Sequence, residues 1–155
     1  MTLPTSPDVG RLVQWFLLAQ SEVTDVVDQE IYRTPPETRT YPWVRVTAFA
    51  GTSIARSLSG PLRFAWRTPF QIDAFGGDEE QARNLADLCA AALEMRLTGN
   101  VTFGGVTAVV TSVEVGTPRP MPADYSGNDV APSLAIPAKP RFMVDGIVVA
   151  ALAAD

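Results

Sequence analysis

With 155 residues, 46% of them apolar and 19% charged, the chain has the balance of a folded globular protein long enough to bury a core. Its net charge of −5 sets electrostatics against sequence-independent binding along a nucleic-acid backbone. It contains no His and one Cys, which removes the usual general base, the commonest metal ligand, any intrachain disulfide and any thiolate zinc site.

No apolar run approaches the roughly 20 residues that span a bilayer. The longest, Ile147–Ala154, suits a buried strand, so no membrane partner is expected. Met1–Pro7 has no basic region followed by an apolar core, so an intracellular origin is expected. Lys139 is the only lysine among the 12 basic residues. That bias fits contact surfaces, where the planar guanidinium makes bidentate contacts, and it also fits a GC-rich genome.

Ser6-Pro7-Asp8 reads as a helix start, with Ser6 as cap, Pro7 in the first position and Asp8 at the positive end of the dipole. Val9, Leu12, Val13, Phe16 and Leu17 then form one apolar stripe, which Trp15 and Leu18 widen toward a second contact surface. Residues 21–27 suit a short further helix, and 30–33 a short strand stopped by Pro35-Pro36.

A strand runs from Tyr41-Pro42 to Phe49, with Val44, Val46 and Ala48 on one face and Trp43, Arg45, Thr47 and Phe49 on the other. Residues 51–60 read as a polar hairpin connection. The next strand covers 62–75, and Pro69, which cannot donate to a ladder, predicts an edge or a bulge there. Gly76-Gly77 breaks that strand. Asp78-Glu79-Glu80 opens a long helix whose buried stripe is Ala82, Leu85, Ala86, Cys89, Ala92, Leu93 and Leu97. Gly99-Asn100 ends it.

Residues 101–105 form a short extended piece with a turn, and 106–115 a β-rich strand. The segment 116–140 holds six of the 13 prolines and reads as a long loop of about 25 residues, the kind that is functional or disordered. Arg141–Leu152 is a final strand, apolar on both faces, as a central strand or one covered by another subunit would be. The order is α-β-β-β-α-β-β. It implies an α+β fold: a small mixed or antiparallel sheet flanked by two main helices, in a single domain over 1–155.

Candidate chemistry is sparse. Gly76-Gly77 and Gly104-Gly105 lack the spacing and the lysine of a phosphate loop. Asp78, Glu79 and Glu80 are consecutive helix positions that do not face one another, so a helix start explains them better than a metal site. Cys89, without a His partner, reads as a packed core thiol. Asp73 and Asp145 are mid-strand acids suited to pairing with Arg67 or Arg45. Arg45, Arg63 and Arg67 form the most suggestive group, either a basic patch for an acidic partner or a solvated sheet face. No cofactor, metal or catalytic residue is expected.

The opening Pro7-Asp8-Val9 helix is followed by Tyr41-Pro42-Trp43-Val44-Arg45-Val46. Phe70-Gln71-Ile72-Asp73-Ala74-Phe75-Gly76 then leads into the 82–97 helix, and a Pro-rich segment precedes Phe142–Val149. In this order the chain resembles the tail terminator, or tail completion, proteins of long-tailed bacteriophages. The resemblance implies a virion structural protein, made in the host cytoplasm, with neither enzymatic activity nor cofactor. It further implies a homo-oligomeric ring, usually a hexamer, that caps the tail tube, ends its polymerisation and offers a surface to the filled head. The partners implied are the chain itself, the tail tube protein and a head-completion or neck protein, with no sequence-specific nucleic-acid contact. Loop length and the Arg and Tyr enrichment of interfaces point to 51–60 and 116–140, with Arg56, Arg119 and Tyr125 as anchors beside Arg45, Arg63 and Arg67. The alternatives are another neck, head-closure or tube protein, a small-ligand-binding domain, or a regulatory interaction module.

Overall fold

Asp8 rather than Ser6 caps the first helix. Its carboxylate accepts from the Arg11 amide at 3.1 Å, and α1 runs over Val9–Leu18. The predicted stripe of Val9, Leu12, Val13, Phe16 and Leu17 is buried as a unit, while Trp15 stays 47% exposed. The computed structural model describes residues 5–55, 64–121 and 139–153. Among these, two further helices follow, α2 (Ser21–Val27) and α3 (Glu79–Arg96). α3 is capped from both sides of its first turn: Asp78 accepts from the Gln81 amide at 2.8 Å, and the Gln81 side chain accepts from the Gly77 amide at 2.7 Å. Its buried positions include all seven predicted residues, Leu97 lying just past the helix end.

Among the described residues eight strands form one mixed sheet: β1 (Ile31–Tyr32), β2 (Trp43–Ala48), β3 (Thr52–Ala55), β4 (Phe64–Phe75), β5 (Gly99–Phe103), β6 (Val106–Val115), β7 (Arg119–Met121) and β8 (Arg141–Leu152). The order across it is β1-β2-β4-β8-β6-β5, with β3 added to β4 and β7 to β8. Among these described strands β1 pairs in parallel with β2, and the other pairings are antiparallel. The class is α+β, with more strands than the sequence predicts. Thr52–Ala55, expected as loop, is a strand on β4, and Arg119–Met121, inside the expected long loop, is a strand on β8.

β4 and β8 are the 12-residue spine. Pro69 therefore sits mid-sheet and not on an edge. Its missing N–H does no harm because β2 pairs with β4 only as far as Phe70, and β3 begins at Arg67. Pro69 falls in the gap between them, where its carbonyl accepts from the Phe49 amide at 2.9 Å. The β5–β6 turn is Gly104-Gly105, both at positive φ (57° and 80°), as a two-residue hairpin requires. In β6, a register shift between Val110 and Ser112 marks a bulge.

The three helices pack on one face of this sheet. Their core includes Leu12, Leu17, Leu85 and Leu93 against Val44, Val46, Phe70, Ile72, Val144 and Val148. Each large side chain buried there contributes on the order of 1.5–3 kcal/mol. Cys89 is fully buried among them, and burial pushes its thiol up to about 12. β8 is central, with Phe142, Val144, Val148 and Ala150 toward the helices. The opposite face of the sheet carries no helix of the described residues and presents the remaining alternate positions of β2, β4 and β8.

Candidate assembly interface

Strand register arranges that outer face in rows. Trp43, Phe75, Arg141 and Met121 form the first row; Arg45, Asp73, Met143 and Arg119 the second; Thr47, Gln71 and Asp145 the third. Beyond them lie Pro69, Ile147 and Glu114, then Thr52, Arg67, Val149 and Ser112.

The first two rows form an arginine–aromatic cluster. Trp43 and Phe75 stack at 4.2 Å with planes 2° apart, and each is only 1% exposed although both lie away from the helices. Cations shield them: the Arg39 guanidinium lies 4.5 Å over Trp43, and those of Arg45 and Arg141 lie 5.6 and 6.0 Å from Phe75. Tyr32 tilts against Trp43 at 6.3 Å, and its phenol donates to Glu30, which drives that hydroxyl up to about 12. The Trp43 indole N–H finds no acceptor among the described residues.

Asp73 sits under this layer with no exposed surface. Arg45 Nε and Nη2 donate to its Oδ2 at 3.4 and 3.3 Å, Gln71 Nε2 donates at 2.9 Å, and Arg141 Nε lies 3.4 Å from Oδ1. A carboxylate so buried persists only when paired and hydrogen-bonded, and here it is both. The remaining charges on the face also pair: Arg119 with Asp145 at 2.8 Å, and Arg67 with Glu114 at a looser 3.8 Å.

Of the six residues singled out from the sequence, Arg45, Arg67 and Arg119 all fall on this face. Arg56, Arg63 and Tyr125 lie outside the described residues. Of the expected group of Arg45, Arg63 and Arg67, the two described members do not adjoin. Arg45 pairs with Asp73, six positions along β4 from Arg67, so about 20 Å separates the two. Asp73 pairs with Arg45 as expected, but Asp145 pairs with Arg119 instead. Arg141 and Arg39 were not anticipated: the one stands at a strand start after Pro140, the other in a loop, and neither shows alternation. Among the described residues no cluster of potential metal ligands occurs.

Trp43 and Phe75 are covered, so what this face presents to solvent is planar guanidinium groups and exposed apolar positions such as Phe49, 50% exposed, a composition suited to protein contact. No described helix is long and apolar enough to cross a membrane.

The model of the family described as tail completion protein gp17 matches residues 11–103. Among solved structures, a chain from one described as the virion of a native gene transfer agent particle superposes with a TM-score of 0.56. The match covers 92% of each chain at 12% identity, a likeness of fold. No curated protein matches the sequence. The family match begins in α1, takes in β2, β4 and α3, and ends with β5, more than half of the chain. The chain thus belongs to the tail completion protein gp17 family and is a structural component of the phage tail.

Proposed function

We propose that the chain forms a closed ring, a hexamer, that caps the end of the tail tube, stops its polymerisation and presents the surface to which the head attaches. The family match over residues 11–103 carries this reading. The outer face supports it: part-exposed arginines on a sheet, beside the exposed Phe49, are suited to protein contact. On this reading the whole of 1–155 acts as one domain, and its partners are its own copies, the tube protein and a head-completion protein. Arg45, Arg67 and Arg119 of the sheet face, with Arg56, Arg63 and Tyr125 from the adjoining segments, supply the contacts.

Light scattering over a concentration series, with negative-stain imaging of the same sample, tests the ring. A discrete particle with six-fold symmetry and a central hole is expected. Fibres that lengthen with concentration would assign the chain to the tube instead. Deleting Pro122–Val130 should weaken ring formation or tube capping; a deletion variant intact in both would remove that segment from the contact surface.

A further inference from the structure

Charge is divided unevenly between the two sides of the fold. The segments that carry the helices, 5–30 and 76–98, hold ten of the 17 acidic residues and three of the 12 basic ones. The described strands and their connecting segments hold seven basic residues against four acidic ones. The helix side is thus strongly negative, and the rest of the described chain is mildly positive.

The acidic side also has a groove. Between α2 and α3 lies an open depression of about 320 Å³, lined by Val26, Leu85 and Leu88 with Asp78, Glu80, Gln81 and Asn84. Val26 is 37% exposed, an apolar side chain with water over it. Asp25 and Asp87 are exposed positions of the same two helices. On the other side of the molecule, Phe49, Pro69 and Ile147 make an apolar strip beside Arg67. Arg67 is half exposed and only loosely held by Glu114. The strip carries one cation and one anion, since Glu114 lies in its row. Arg67, loosely held, is the group an acidic groove attracts, and the two surfaces, both partly apolar, lie on opposite sides of one chain.

We propose that they meet in the assembly: the Phe49–Pro69–Ile147 strip and Arg67 of one copy seat on the acidic α2–α3 groove of the next. This rests on the ring reading above and names the surfaces that build it. Opposite surfaces of identical chains make a heterologous contact, which closes into a ring when the rotation between copies allows. Charge complementarity sets which surfaces pair and in which register, and like charges brought together oppose the contact.

A charge-swap experiment tests it, with the full chain and light scattering plus native mass spectrometry. Arg67→Glu makes both surfaces acidic, and the triple variant Asp25→Arg, Glu80→Arg, Asp87→Arg, which sets three arginines against Asp78, makes both basic. Each alone should assemble at a concentration at least about tenfold higher than the unmodified chain, and more so at low salt. Mixed in equal amounts, they should assemble at the unmodified concentration, with the two alternating around the ring. Thermal melts confirm that each variant folds. If the folded variants assemble as the unmodified chain does, or if mixing restores nothing, this interface is wrong while the ring stands. An unmodified chain that never self-associates counts against the ring itself.

Discussion

Asp73 has exchanged water for donors from Arg45 and Gln71 and for the Arg141 charge, and it is fully buried beneath them. Asp73→Asn removes the charge those arginines share while keeping the shape. It should cost about 2–4 kcal/mol, somewhat below a fully interior pair because both guanidiniums keep some water. For a chain of this size that lowers the melting temperature by roughly 5–15 °C; an unchanged melt would show the carboxylate to be incidental. Gly146 is a steric counterpart. A Cβ there would run into the edge of the Phe70 ring and lie 3.0 Å from the Glu114 carbonyl, so the ring packs where a side chain would be. Gly146→Ala should destabilise by about 1–3 kcal/mol in a denaturant titration, since Phe70 has to leave a filled core. Cys89, buried and with its thiol raised to about 12, should resist alkylation in the native chain and react only on unfolding. Rapid native labelling would mean that α3 opens far more readily than its packing indicates.

α2 and α3 are fastened at their ends. Arg96, in the last turn of α3, donates to Glu22 in the first turn of α2 at 2.8 and 3.1 Å and to Gln20 at 3.0 Å. The hydrogen bonds from Arg96 hold the Glu22 carboxyl down to about 2, against an ordinary value of 4.5. A carboxylate with a lowered folded-state value stabilises fully above its ordinary range and loses that contribution as pH falls toward the folded value. The chain should therefore weaken between about pH 4.5 and pH 2, and Glu22→Gln should reduce that dependence. Urea midpoints at pH 5 and pH 2.5 measure it; equal losses in both proteins would show that the clamp is inactive. The pair is solvent-exposed, so the effect is small.

Elements with a long period were legible in the sequence. β6 and β8 fall at 106–115 and 141–152 as read, and α3 differs only at its ends, because sustained alternation or a seven-residue apolar stripe fixes the conformation. β3 and β7 were not legible, being four and three residues long with few apolar positions; they are strands because β4 and β8 offer them an open edge. Pro69 misled because it takes two short strands sharing one side of β4 to leave a gap that tolerates it. The site divides the same way. Arg45 and Asp73 lie opposite each other on strands read from alternation, whereas Arg119–Asp145 depends on a strand with no pattern of its own.

At the scale of the whole molecule, the helices cover one face of the sheet, and the other carries paired charges, a shielded aromatic stack and an exposed apolar strip. The family places this protein in the phage tail. Capping a tube requires a surface that binds the tube end yet does not itself offer a fresh end for the next tube subunit. Tube polymerisation in the presence of the chain measures this. Tail tube protein should be assembled with and without this chain, tube lengths measured by electron microscopy, and the chain located by a tag. Tubes of bounded length with the chain at one end only are expected. Tubes that lengthen unchanged, or that carry the chain along their whole length, would contradict it.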